Sequence, residues 1–248
     1  DGADSENLYN THWLPFEAEE WSEEQRRGRL KKPRLEWLIH TSLQAELHEE
    51  IDLARLYFEY RRFAAGGGSP LSAEKQLLTL GEYAKHYKEL VNGSGSTPIA
   101  RFGRRIAPFD VTTPHPLALM ISTCQISNEA KSEMFDDIIS YIVRRAVCGL
   151  TYKNYNSVFL TMLRQLHDGG VNPTVLRKIL SGLTGEASRW PIDGEFRSEC
   201  LNGHLYYGRL ESGKMRAILT ELEGFLRAET RVEERIPPDL RALDIDHI

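Results

Sequence analysis

Residues 141–166 read YIVRRAVCGLTYKNYNSVFLTMLRQL, and this stretch predicts two apolar helices joined by a short polar hinge. Apolar side chains recur on both sides of the hinge at spacings of three and four, which is typical of amphipathic helices. Cys148 and Gly149 mark the end of the first helix, because glycine readily adopts the left-handed conformation that follows many helices. The recurring apolar positions are Ile138, Ile139, Ile142, Val143, Ala146 and Val147, then Val158, Phe159, Met162, Leu163 and Leu166.

Arg144 and Arg145 lie one turn before the end of the first predicted helix. A basic pair is uncommon inside such an apolar helix, since burying an unpaired charge costs several kcal/mol. One of the two arginines is therefore expected to be buried against Asp136, Asp137 or a carboxylate of a neighbouring domain. An architectural role is one interpretation of this pair, and contact with the DNA backbone or transmission between domains is the other.

The hinge itself carries Lys153, Asn154 and Asn156. Asparagine is a common residue at the start of a helix, where its side chain accepts a hydrogen bond from a backbone N–H. The asparagines are therefore predicted to cap the second helix. Together with the arginine pair and Trp190, these residues form a set with a predicted structural or interdomain role.

The composition restricts the classes of protein to which this chain can belong. The chain has 248 residues, 41% hydrophobic and 27% charged, with a net charge of −5, which describes an ordinary globular protein and gives no global case for a nucleic-acid clamp. Cys124, Cys148 and Cys200 have neither disulfide nor zinc spacing, so they are interpreted as reduced, mostly buried thiols of a cytoplasmic protein. No apolar run reaches the roughly 18 residues that a membrane-spanning helix needs.

The rest of the chain also favours helices. Amphipathic segments are predicted at 17–29, at about 34–48 and at 72–91, and Ser127 and Asn172 precede two more. The glycine-rich residues 66–70 read as a joint, and no β-hairpin is expected before residue 240. The predicted fold class is all-α, an irregular multi-helix bundle of about nine or ten helices.

Two basic stretches are candidates for contact with phosphates. The first, RRGRLKKPR at 26–34, places six basic side chains in nine positions, and the second is RFGRR at 101–105. Lysine and arginine neutralise a DNA backbone without reading its sequence. The alternative is that these are solvated positions, the first facing the acidic run at 17–24. The candidate DNA contacts are Arg26, Arg27, Arg29, Lys31, Lys32, Arg34, Arg104 and Arg105.

Complete catalytic motifs are absent from the sequence. Gly66, Gly67 and Gly68 lack the lysine and the strand of a phosphate-binding loop. The eight histidines do not pair at metal-binding spacing, and no nucleophile elbow occurs. The last residues, Asp246 and His247, are of the types that open a ββα-metal nuclease site, with aspartate as metal ligand and histidine as general base.

Taken in order, several stretches resemble the GmrSD-like family of modification-dependent restriction proteins. The hairpin at 141–166 is similar to a signature of that family. LYNTHWLPFE with Trp21 and RRGRLKKPRL resembles its exit from the nucleotide domain. WPIDGEFRSECL and KMRAILTELEGFL resemble its last helices, and LDIDHI resembles the opening of its nuclease motif.

The resemblance implies a particular domain layout. In it, 1–236 is a helical domain with a subdivision near 92–127, and 237–248 is a linker with the first residues of an HNH nuclease domain. The nucleotide-domain motifs are missing and the nuclease motif stops one residue after His247, so an excised and inactive piece of a longer protein is expected. Its partners would be its own N-terminal NTPase domain, its C-terminal nuclease domain and double-stranded DNA. A divalent metal and a nucleoside triphosphate would serve the parent, with no cofactor in this piece.

A helical connector that couples the NTPase to a nuclease cutting modified phage DNA is therefore the leading functional hypothesis. The alternative is an all-α adaptor that binds proteins and never touches nucleic acid. The basic stretches discriminate between the two, because a DNA-binding role requires them to be accessible to phosphates.

Overall fold

The computed structural model describes residues 2–66 and 71–230. Within these ranges the chain forms twelve α-helices and one two-stranded sheet, which confirms the all-α class and slightly exceeds the predicted number of helices. The helices are α1 Gly2–Leu8, α2 Glu19–Ser22, α3 Arg34–Leu47, α4 Leu56–Ala64, α5 Ala73–Asn92, α6 Pro98–Ile106, α7 His115–Thr123, α8 Asn128–Val147, α9 Tyr155–Gly169, α10 Pro173–Ser181, α11 Asp193–Asn202 and α12 Ser212–Thr230, and the strands are β1 Glu24–Arg27 and β2 Leu30–Pro33.

The first basic stretch forms a β-hairpin, which corrects the prediction of a helix over 17–29 and of no hairpin before residue 240. Strands β1 and β2 pair antiparallel, with Arg26 opposite Lys31 and Arg27 opposite Leu30. The two-residue loop begins with Gly28, whose φ of 57° is the positive angle that a type II′ turn needs at that position. Charged side chains on both faces hide the alternation of apolar and polar residues that normally predicts a strand.

Helices α8 and α9 are the hairpin predicted from residues 141–166, and they lie in the core. Ile138, Ile142, Phe159, Met162 and Leu166 are all buried at the predicted helical spacing. Gly149 follows α8 with a φ of 65°, as expected for a left-handed residue after a helix. The sequence periodicity therefore located this part of the core correctly.

Helix starts were predicted with mixed success. The side chains of Ser127 and Asn172 accept hydrogen bonds from Ala130 N–H and Val175 N–H, so both predicted caps are confirmed. Asn154 precedes α9 but its side chain makes no capping hydrogen bond, so the predicted asparagine cap is wrong.

Helix α6 begins at Pro98, in a segment that also contains Pro108. Thr97 caps the helix by accepting a hydrogen bond from Ala100 N–H, and Pro98 occupies the first turn, where its missing N–H has no helical partner to lose. The helix packs against α5 so closely that a Cβ at Gly103 would lie 2.0 Å from Leu90 O. Pro98 therefore starts a helix.

A single cluster of buried side chains runs through the molecule from Phe16 to Leu180. It includes residues from both sides of the predicted subdivision near 92–127, such as Tyr87 and Phe135, with Phe102 and Leu119 from within it. Elements on the two sides of 92–127 therefore share one core. The predicted domain end at 236 lies outside the described residues.

The last described helix, α12, is packed along only part of its length. Ala217 and Ile218 contact the core cluster. Leu219, Leu222 and Phe225 follow on the predicted apolar face, yet they are 43%, 53% and 60% exposed. The carboxyl-terminal half of α12 therefore presents an apolar surface that the described fold leaves uncovered.

Candidate functional site

Arg145, near the carboxyl end of α8, is the largest fully buried side chain of the described protein, with 0% exposure. Its guanidinium donates three hydrogen bonds to backbone carbonyls: to Arg189 O at 2.8 Å, to Thr151 O at 2.7 Å and to Ala187 O at 3.0 Å. These acceptors belong to the hinge before α9 and to the loop after α10. We call this group the Arg145 cluster, and it ties these two segments to α8 through one side chain.

The prediction that a buried arginine of this pair would meet Asp136, Asp137 or another carboxylate is wrong for Arg145. The carboxylates of Asp136 and Asp137 instead pair with Arg105 and Arg177. Carbonyl oxygens accept hydrogen bonds from Nη1 and Nη2 of Arg145 because each carries a partial negative charge and the planar guanidinium presents several N–H donors in a fixed fork, whereas the buried Nε has no hydrogen-bond partner among the described residues.

Aromatic rings complete the surroundings of Arg145. Its Cζ lies 5.5 Å from the ring centroid of Tyr141 and 5.7 Å from that of Tyr155, within the range of cation–π attraction. Tyr141 also donates a hydrogen bond to Ser188 O at 2.7 Å. Burial raises the pKa of both tyrosines, so they remain neutral at physiological pH. The Arg145 cluster is therefore an enclosed structural contact between α8 and two loops.

Arg144 lies beside it and is bound differently. It forms an ion pair with Asp193 at 2.7 Å and donates a hydrogen bond to Pro191 O at 3.1 Å. Its Cζ lies 5.3 Å from the ring centroid of Trp190 and 5.0 Å from that of Phe196. The expected acidic partner is thus present for Arg144, within the helical region, and Trp190 is the aromatic surface on which it rests.

The polar residues of the hinge do not assemble into a site. Lys153 and Asn154 are exposed, and the backbone N–H of Lys153 donates to Thr151 Oγ1 at 3.2 Å. Asn156 donates to Glu50 Oε1 at the long distance of 3.4 Å. These contacts shape the hinge and leave its outer surface open to solvent.

Two of the lysines in the basic hairpin already have acidic partners. Lys31 forms an ion pair with Glu24 across the two strands, and Lys32 pairs with Glu36 at 2.8 Å. Exposed pairs of this kind contribute about 0–1 kcal/mol each. They agree with the interpretation in which the basic stretch faces neighbouring acids.

Two arginines of the same stretch point into the protein. Arg27 Nη2 donates to Tyr87 Oη at 2.5 Å, and Arg34 Nη2 donates to Asn92 Oδ1 at 2.7 Å. Arg34 is buried and its Cζ lies 5.7 Å from the ring centroid of Trp21. Neither arginine is placed to touch a DNA backbone on the surface.

The two predicted DNA contacts on α6, Arg104 and Arg105, also bind other residues of the chain. Arg104 donates to Gly93 O at 2.5 Å, and Arg105 bridges Asp136 and Glu221. Both guanidinium groups therefore have partners within the chain.

Arg26 and Arg29, by contrast, are exposed and form no ion pair with the described residues. Arg26 donates only to Gly28 O at 3.0 Å. Of the eight predicted contacts, Arg26, Arg29 and Arg104 are exposed and form no ion pair with the described residues, and Arg104 donates to the carbonyls of Gly93 and Gly95.

A cavity of about 120 Å³ lies beside Arg27. Trp37 forms one wall, with its ring centroid 4.6 Å from Arg27 Cζ, and Phe159 belongs to another part of the lining. His40 and Thr113 also line it. These residues come from β1, α3, the loop before α7 and α9, so no spacing in the sequence could have indicated the cavity. We refer to it below as the Arg27 cavity.

Burial controls the charge state around this cavity. It lowers the pKa of Arg27, although an arginine stays protonated in a protein. Burial also lowers the pKa of His40, and it lowers that of the enclosed His115 well below the usual range, with the charge of Arg27 acting in the same direction. Both imidazoles are therefore neutral at pH 7, and Arg27 carries the local positive charge.

The predicted nuclease residues, Asp246 and His247, lie outside the described residues. Within the described ranges no group of three or more histidine, cysteine, aspartate or glutamate side chains could hold a metal ion.

Cys124 and Cys148 are half-buried and Cys200 is exposed, so the prediction of mostly buried thiols is wrong. None of the described helices combines the length and apolarity needed to cross a membrane.

Comparison with known proteins gives no family. No protein-family model, no curated protein and no solved structure matches the chain.

Proposed function

We propose that this chain is the helical connector of a GmrSD-like restriction protein, placed between an N-terminal NTPase domain and a C-terminal HNH nuclease that cuts modified phage DNA. The ordered resemblances, with the hairpin at 141–166 foremost, suggest the family. The observation that carries the connector role is the uncovered apolar face of α12.

That face has the character of a docking surface. Leu219, Leu222 and Phe225 recur every three residues, so they share one side of the helix, and each is at least two-fifths exposed. Contiguous exposed apolar residues on one helix side often mark a protein interface, whereas single ones need no explanation. The proposed occupant is the nuclease domain, because the predicted nuclease motif LDIDHI at 243–248 is the next segment after α12 to which a function is assigned.

A connector must also be rigid enough to pass a change at one end to the other. The Arg145 cluster supports this requirement, since one buried side chain links the end of α8 to the hinge before α9 and to the loop at 187–189. A displacement of any one segment would break hydrogen bonds to the others. The cluster is therefore proposed to keep the hairpin and the α10–α11 loop moving as one body.

The parent protein provides the direct test. Replacing Leu219 and Phe225 with glutamate should leave NTP hydrolysis intact and abolish most of the nucleotide-dependent DNA cleavage, because a charged face cannot pack against an apolar partner. The matched control replaces Leu78 and Leu201, which are also exposed leucines but lie on α5 and α11. Equal cleavage by both double variants would refute the docking role.

The family assignment has a separate test. Reading the parent gene beyond Ile248 should reveal a proline and then the asparagine and second basic residue that an HNH site uses. Their absence would remove the nuclease from the proposal.

A protein-binding adaptor with no nucleic-acid role is the second candidate. It is favoured by the internal pairing of the basic residues, which leaves Arg26 and Arg29 as the exposed cations of the hairpin without an ion pair among the described residues. If the connector lines a DNA path, replacing both with alanine should weaken duplex binding and reduce the slope of log K against log salt by about two. The control replaces the exposed Lys178 and Arg197. Unchanged binding and slope in the hairpin variant would favour the adaptor.

A further inference from the structure

Arg27 is a largely enclosed cation without an anion. Its one hydrogen bond within the described chain goes to the neutral hydroxyl of Tyr87, and its remaining contacts are the ring faces of Trp37 and Tyr87. A guanidinium has five N–H donors, so most of its capacity is unused. Withdrawing a charge from water costs several kcal/mol unless it is paired, and here the described residues supply no carboxylate partner.

We propose that the Arg27 cavity binds a phosphate group, either as the free ion or at the end of a small metabolite. The unused guanidinium donors would meet two phosphate oxygens in the forked arrangement that arginine favours. The anion would supply the counter-charge that the protein itself does not.

Thr113 provides an independent second observation. Its Oγ1 is enclosed by the protein and has no hydrogen-bond partner in the described part of the chain, although Thr113 lines the same cavity as Arg27. Enclosed hydroxyl groups are almost always paired, and one without a partner requires an explanation. Because Oγ1 is enclosed, a rotation of the Thr113 side chain would bring it to a bound phosphate oxygen, which would then accept its hydrogen bond.

The size and walls of the cavity restrict the ligand. Sites for drug-sized ligands measure about 300–1,000 Å³, whereas this cavity measures about 120 Å³. It therefore suits a single oxyanion group and excludes a whole nucleotide from the interior. The exposed Asn156 belongs to the lining, so the cavity reaches the surface and the rest of a larger ligand would lie outside.

The acids of this region belong to other contacts. Glu50 is bound by Asn156 at the surface, and the charge of Asp52 acts on His40 rather than on Arg27. Because His40 and His115 are neutral, the net charge of the groups around the cavity is one positive charge, on Arg27. This proposal stands independently of the connector role.

The test measures binding by calorimetry at constant ionic strength, with inorganic phosphate and with a nucleoside 5′-monophosphate as probes. We expect saturable binding of phosphate, weakened about tenfold or more by Arg27→Gln, since a hydrogen bond to a charged group is lost. Tighter binding of the monophosphate than of phosphate would identify a metabolite as the source, and equal or weaker binding would identify the free ion.

Two further variants keep the test decisive. Thr113→Val has nearly the same shape and removes only the unpaired hydroxyl, so it should fold at least as stably as the parent and still bind phosphate several-fold more weakly. Arg29→Gln removes the same charge from the exposed loop of the same hairpin and should leave binding unchanged. Absence of saturable binding, or equal weakening by Arg29→Gln and Arg27→Gln, would overturn the proposal.

Discussion

Arg145 is fully buried and Arg27 is half-buried, and their surroundings differ in kind. Arg145 donates three hydrogen bonds to carbonyls and lies against two tyrosine rings. Arg27 donates one hydrogen bond, to Tyr87, and faces a cavity. Burying a guanidinium costs more the more completely it is enclosed, so Arg145 depends on partners within the fold, whereas the half-buried Arg27 still faces water and the cavity.

The comparison separates a structural residue from a candidate binding residue. Both Nη atoms of Arg145 donate to backbone carbonyls that belong to the fold, so the residue has a structural role. A cation with unused donors beside a cavity is stabilised further by any anion that enters. Four predictions test this difference.

The largest effect is expected from Arg145→Met, which should lower the free energy of unfolding by about 3–5 kcal/mol because three carbonyls lose their buried partner. Urea unfolding measures the loss. Arg144→Met is the matched control on the adjacent residue and should cost much less, since Arg144 is half-buried and its ion pair is exposed. Equal losses in the two variants would contradict the role of the Arg145 cluster.

The next effect concerns pH and belongs to the Arg27 side. Burial lowers the pKa of His40 and His115 in the folded protein, whereas in the unfolded chain each takes its ordinary value near 6.5. As pH falls below about 6.5 the unfolded chain binds protons that the folded protein does not, so stability is lost on acidification.

Urea midpoints at pH 7.5 and 5.5 measure this loss. His115→Gln should reduce the dependence on pH, because it removes the histidine whose pKa is lowered most strongly around the cavity. Arg144→Met should keep the dependence of the parent. A His115→Gln variant that loses as much stability as the parent on acidification would show that the enclosed imidazole is not responsible.

Arg27→Met should lower the free energy of unfolding by only about 1–2 kcal/mol. The variant leaves the Tyr87 hydroxyl without its partner, but it also removes an unpaired charge, and that gain offsets part of the loss. Adding Tyr87→Phe should recover part of the loss, since neither polar group then remains. Chemical unfolding of the two single variants and the double variant gives the coupling. Strictly additive losses would mean that the hydrogen bond between them contributes nothing.

The smallest effect is expected from Asp193→Asn, which removes the ion pair with Arg144. The Asp193 side chain is 91% exposed, so the pair should contribute about 0.5 kcal/mol or less. Repeating the unfolding experiment in 1 M salt should erase even that difference, because salt screens exposed charges. A larger, salt-resistant loss would place Arg144 closer to Arg145 in importance than their surroundings indicate.

The sequence correctly predicted the elements that depend on residues close together in the chain. The periodicity through Ile138 and Leu166 located α8 and α9, and the side chains of Ser127 and Asn172 located two helix starts. The hairpin at 24–33 was missed because its strands carry charges on both faces and depend on a pairing between chain segments.

For the candidate sites the sequence was less informative. It identified Arg144 and Arg145 as an unusual pair, but it assigned Arg145 a carboxylate instead of carbonyls. It indicated that the stretch at 26–34 is basic, but not that Arg27 turns inward while Arg29 stays outside. The sequence cannot distinguish these two arginines, because they differ only in where the strand and its loop direct them.

The sequence by itself determined the all-α class, the central helical hairpin and the presence of an arginine that needs partners in the core. Each of these follows from residues that are close together in the chain. Only the tertiary structure decided how each arginine is satisfied. The loop at 187–189 reaches Arg145 from more than forty positions along the chain. The walls of the Arg27 cavity come from four distant segments, and their meeting depends on how the helices pack together.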